Sequence, residues 1–80
     1  MTNGWETVGR KLEKSFTFQD FNAAIQFVNK VAALAEVLQH HPDIQLYDYK
    51  YVRIVLFTHS VQQVTEKDLT LAAQIDAIVI

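Results

Sequence analysis

The sequence predicts an α+β fold in which an antiparallel sheet carries helices on one side. Three observations lead there. Two pairs of segments, within residues 5–18 and 44–58, alternate in polarity or are rich in β-branched and aromatic residues, as strands are. Two longer segments, 21–39 and 66–79, place apolar residues three and four apart, as helices do. The order is therefore β-β-α-β-β-α, hairpins with helices between them, and such a sheet hides one face beneath its helices.

Residues 5–8 read as a short strand and 12–18 as a longer one, with Gly9-Arg10 as the turn. Leu12, Phe16 and Phe18 share one parity while Lys11, Glu13, Ser15 and Thr17 take the other, the pattern of a half-buried strand. Lys14 breaks the apolar row, which reads as an edge or end effect. Asp20 is suited to cap the first helix. Its buried stripe is expected on Phe21, Ala24, Ile25, Val28, Val31, Ala32, Ala35 and Leu38, with Phe27, Leu34 and Val37 widening the apolar face toward more core or an interface. Pro42 disfavours helical geometry at His41 and lacks an N–H, so the chain is expected to turn out there.

Residues 44–48 and 51–58 form the second predicted hairpin. In the last strand Val52, Ile54 and Leu56 share one face; Tyr51, Arg53, Val55, Phe57 and His59 share the other. Thr65 followed by Asp68 reads as a capping box opening the final helix, whose expected contacts are Leu69, Leu71, Ala72, Ala73, Ile75 and Ile78. No internal repeat, linker or low-complexity segment interrupts the chain, and residues 1–80 are expected to fold as a single domain.

Composition narrows the function. With 80 residues, half of them apolar, the chain has a core near the lower size limit and apolar surface to spare, so self-association is expected. The absence of cysteine excludes disulfides and thiolate metal sites. A net charge of −2 with scattered Lys and Arg argues against direct nucleic-acid binding. Residues 1–4 do not read as a signal peptide and no apolar run has membrane-spanning length, which makes a soluble cytoplasmic protein the expectation.

All three histidines lie between Glu36 and Asp68: His40 and His41 before the only proline, and His59 where the last strand runs out. Imidazoles donate and accept protons near neutral pH, so two or three around one cavity can supply an acid and a base together. The helical reading puts His40 in the last turn of the first helix, where the dipole favours a cation, with Glu36 four residues earlier on its face. That suits His40 to be an acid.

The spacing Glu36-x3-His40-His41-Pro42-x6-Tyr49-x9-His59-x8-Asp68 is similar in each named position to the signature of the pterin-4a-carbinolamine dehydratases. Gly4-Trp5, Phe16-Thr17-Phe18, Asp20-Phe21-Asn22, Val31-Ala32 and Ala35-Glu36 extend the resemblance over nearly the whole chain. It implies a four-stranded antiparallel sheet covered on one face by helices, in a homodimer or a dimer of dimers. Relatives commonly carry a helix ahead of the Gly-Trp segment; this sequence begins three residues before Gly4, and that helix is expected to be absent.

The resemblance also implies the chemistry. It makes His40, His41 and His59 the catalytic set, Pro42, Thr58, Ser60 and Val61 the pterin contacts, and Glu36 and Asp68 supporting residues, with no metal and no cofactor. The reaction would be dehydration of a 4a-hydroxytetrahydropterin to quinonoid dihydropterin in tetrahydrobiopterin recycling. His40 and His59 are favoured as the acid/base pair, with His41 mainly binding. Family members that act as dimerisation partners of a transcription factor supply the alternative, a non-catalytic interaction protein. Among the simpler readings, the capping box alone accounts for Asp68, and Tyr49 reads as a sheet aromatic. Ile44 stands where relatives often have an aromatic. A site of Glu36, His40 and His59 for a metal ranks last.

Overall fold

A computed structural model describes residues 4–80, and the reading of residues 1–3 as no leader lies outside the described residues. Its elements are β1 (Glu6–Val8), β2 (Lys11–Thr17), α1 (Phe21–Leu38), β3 (Asp43–Tyr47), β4 (Tyr51–Leu56) and α2 (Glu66–Asp76). The four strands form one antiparallel sheet in the order β1-β2-β4-β3. The expected α+β architecture and element order are both present.

Alternation decides which face the helices cover. Along β4, Val52, Ile54 and Leu56 are fully buried while Arg53 between them is exposed. From β2, Leu12 and Phe16 join them; from the helices come Ala24, Phe27, Val31, Leu71, Ala72 and Ile75. Each large side chain in this set contributes about 1.5–3 kcal/mol by leaving water. Phe27 forms the centre of an aromatic group, with ring centroids 4.7 Å from Phe16 and 4.8 Å from Phe18.

Several local expectations change in the folded chain. The buried stripe of α1 runs through Ala23, Ala24, Phe27, Val31 and Ala35, so Phe27 is core whereas Phe21 and Ala32 are exposed. Of the three residues that widened the apolar face, Leu34 packs against the core and Val37 is 82% exposed. Lys14 is no edge effect, because β2 lies between β1 and β4. Its ammonium sits 2.8 Å from Asp76 Oδ1, and the other oxygen of Asp76 accepts from the indole N–H of buried Trp5 at 3.0 Å. Helix α2 ends at Asp76, short of residue 79, and Leu69 faces solvent. Tyr49 leaves the sheet for the turn between β3 and β4, where Asp48 and Tyr49 have φ of 47° and 55°. Among the described residues no helix is long and apolar enough to cross a membrane.

Candidate functional site at the end of helix α1

Helix α1 ends at Leu38, four residues before Pro42, for a reason of its own. Gln39 adopts the left-handed conformation at φ 50°, ψ 43°, and the N–H of His40 returns to the carbonyl of Ala35 at 3.1 Å, satisfying a helix-end acceptor. His40 therefore lies beyond the helix, not in its last turn. The ring turns toward the start of α2, where its Nε2 meets Asp68 Oδ1 at 2.6 Å, and the side chain is 12% exposed. Glu36 pairs instead with His41, Oε2 to Nε2 at 2.6 Å, in an outward-facing contact whose side chains are 58% and 68% exposed for His41 and Glu36.

Asp68 holds the buried part of the site. Its side chain is fully buried, yet every donor around it is accounted for. The Thr65 N–H donates to Oδ2 at 2.9 Å, closing the capping box of α2. The Thr58 hydroxyl donates to the same oxygen at 2.7 Å, and the Thr58 and Thr65 hydroxyls are 2.8 Å apart. Burial raises the carboxyl pKa, but hydrogen bonds from His40, Thr58 and the Thr65 backbone, with the His40 charge, outweigh it and hold Asp68 below the usual aspartate range. Capping explains only part of this residue: its second oxygen serves a histidine.

The strand end contributes Thr58 and His59. Thr58 continues the buried parity of Leu56, and a bridge to Gln63 (Thr58 N–H to Gln63 O, 3.1 Å) closes the loop between them. Within that loop the carbonyl of His59 accepts from Gln62 Nε2 at 2.9 Å. The ring of His59 stands edge-on to Phe57, centroids 5.1 Å apart. His59, Ser60 and Val61 are exposed and Pro42 is half-buried.

His40, Thr58, Thr65 and Asp68 are thus joined in one hydrogen-bonded group, and His59 follows Thr58 directly in the chain. His41 stays one residue away with its own carboxylate. A cavity of about 190 Å3 beside His40 is lined by Leu38, His40, Glu66, Lys67 and Thr70, and neither His41 nor His59 reaches it. Among the described residues no group of His, Asp and Glu is arranged to hold a metal ion, so the Glu36, His40 and His59 set is not assembled. Thr65 was legible only as a helix cap. The sign of its larger part was the parity of Thr58, which aimed a hydroxyl at the buried side.

The family model described as pterin 4 alpha carbinolamine dehydratase matches residues 1–78. The chain belongs to this family. A relative from Acidobacterium capsulatum, provisionally named a pterin-4-alpha-carbinolamine dehydratase, is 46% identical over 74 residues, covering 92% of this chain and 79% of its own. A crystal structure of a transcriptional coactivator/pterin dehydratase from Brucella melitensis is 38% identical and superposes with a TM-score of 0.88, over 94% of this chain and 81% of that one. A pterin dehydratase-like protein identified as a RuBisCO assembly factor in the alpha-carboxysome is 29% identical, with a TM-score of 0.79 over 95% and 89% of the two chains. Pterin-dehydratase relatives therefore include proteins described by roles other than dehydration.

Proposed function

We propose that this protein dehydrates a 4a-hydroxytetrahydropterin to quinonoid dihydropterin and water, with His40, His41 and His59 as its proton-handling and binding groups. The observation that carries the reading is the pairing of His40 with the buried carboxylate of Asp68, two members of the family signature in direct contact. The reaction needs a base at the ring nitrogen and an acid at the hydroxyl, and imidazoles perform both tasks near neutral pH. His40 and His59 form the acid/base pair; His41, steadied by Glu36, binds. Pro42, Thr58, Ser60 and Val61 border the pterin, with the Thr58 hydroxyl given to Asp68. The protein acts in the cytoplasm as a homodimer or tetramer, without metal or cofactor, in tetrahydropterin recycling.

Optical decay of the carbinolamine with and without protein tests this directly. Faster decay in proportion to protein supports it; an unchanged rate at high protein removes it.

A second reading has its own support. Val37, Val79 and Ile80 expose apolar side chains, and the two structural relatives are described as a coactivator and an assembly factor. In that case the chain is an interaction protein, and a His40→Ala variant would retain the biological role while losing dehydration.

A further inference from the structure

We infer that the uncovered face of the sheet carries a second binding site, for a free α-amino acid with an aliphatic side chain, built from Asp43, Gln45, Arg53 and Val55. The site is independent of the dehydratase reading and uses none of the residues named for that reaction.

Strand register brings the four together. Strands β3 and β4 pair Asp43 with Val55 and Gln45 with Arg53. All four point away from the helices, because the alternate residues of β4, Val52, Ile54 and Leu56, fill the core. They form a rectangle about 4.8 Å wide across the strands and about 6.7 Å long. Its corners are a carboxylate, an amide, a guanidinium and an apolar side chain. On β2, Glu13 stands opposite Val55, with Lys11 two residues before it. A shallow cavity of about 190 Å3 is bordered by all six residues.

The charges around this cavity satisfy one another poorly. Glu13 faces Glu6 across β1 and Val55 across β4, so no direct cross-strand neighbour neutralises it. Arg53 reaches it only at 3.5 Å, against about 2.7–2.9 Å for a close charge-assisted bond. Lys11 rests over the Phe57 ring, 5.3 Å from its centroid. Among the described residues neither Lys11 nor Asp43 makes an ion pair. The two cations and two carboxylates sum to no net charge.

That balance selects the ligand. A phosphate dianion meets Glu13 and Asp43, and a polyamine meets Lys11 and Arg53, so each is repelled. A molecule with one charge of each sign beside an apolar group matches every corner. The carboxylate of a free α-amino acid accepts from the Arg53 guanidinium and the Gln45 amide, its ammonium donates to Asp43, and its aliphatic side chain lies on Val55. Gln45 and Asp43 are same-face neighbours on one strand, as the two charged groups are neighbours on one carbon.

Titration of nitrogen-15-labelled protein with L-leucine, followed through backbone amide shifts, tests the assignment. N-acetylleucine and leucinamide serve as ligands that each lack one charge. The expected result is saturable shifts centred on residues 43–45 and 53–55, half-complete near about 1 mM leucine, as an exposed site with few contacts allows. Either blocked ligand should need at least about tenfold more, and so should leucine with Asp43→Asn or Arg53→Gln, both at exposed positions. The absence of a saturable shift up to about 20 mM leucine overturns the proposal. Wild-type protein that binds N-acetylleucine or leucinamide as well as leucine overturns it too, whatever the variants do.

Discussion

His40 Nε2 and Asp68 Oδ1 stand 2.6 Å apart although 28 residues separate them. The contact ties the chain leaving α1 to the first turn of α2, so the residue that caps one helix also orients the ring that follows the other. Thr58, two residues past the end of β4, bonds to the same carboxylate. Helix capping, the strand terminus and the candidate site therefore share one buried charge.

That charge makes stability depend on acid. Asp68 titrates lower in the folded protein than in the unfolded chain, where aspartate lies near about 3.9. Its ionised form contributes fully above the unfolded value, and the contribution is lost as pH falls through the lower folded value. Urea unfolding of wild type and Asp68→Asn should show a stability gap that is steady above about pH 5 and narrows below about pH 4. A gap that ignores pH would contradict an ionised, paired Asp68.

The pair at His41 should behave differently. Both partners are more than half exposed, and solvent screens such contacts. Glu36→Gln should change unfolding free energy by less than about 0.5 kcal/mol. If His41 binds pterin, His41→Ala should raise KM more than it lowers kcat, which steady-state kinetics can resolve.

Phe27→Ala should cost about 3–5 kcal/mol, because the ring sits at the centre of the aromatic group between α1 and the sheet. Val37→Ala, on the same helix but outside, should stay within about 0.5 kcal/mol. Denaturant midpoints of the two variants check the stripe.

These contrasts mark what could be read without a structure. Strand parity along β4 correctly separated Val52, Ile54 and Leu56 from Arg53, because a half-buried strand leaves a period of two. The α1 stripe drifted, since its apolar residues cover more than one face and periodicity alone cannot choose between Ala32 and Phe27. Lys14 misled because a buried-parity lysine is tolerable only with a distant partner, and Asp76 lies 62 residues away. The site failed at one joint: the left-handed turn at Gln39, a residue without the usual preference for that conformation, released His40 from Glu36. Family spacing named the residues, but which carboxylate meets which ring depended on that single backbone turn.

Gln39→Gly tests the joint. Glycine adopts φ 50° without a Cβ penalty, while the replacement loses the bond from Gln39 Nε2 to the Glu36 carbonyl at 2.7 Å. The two effects should leave a net stabilisation of about 0.5 kcal/mol, read as a small rise in the urea midpoint. A loss of more than about 1 kcal/mol would mean that the turn is held by its side chain.

The most direct measurement compares wild type with His40→Ala in the optical decay of 4a-hydroxytetrahydropterin. The account predicts that wild-type protein speeds the decay and that the substitution lowers the enzymatic rate by about 100-fold or more, with the fold retained by circular dichroism. Equal rates for the two proteins, whether fast or at the uncatalysed level, would contradict it.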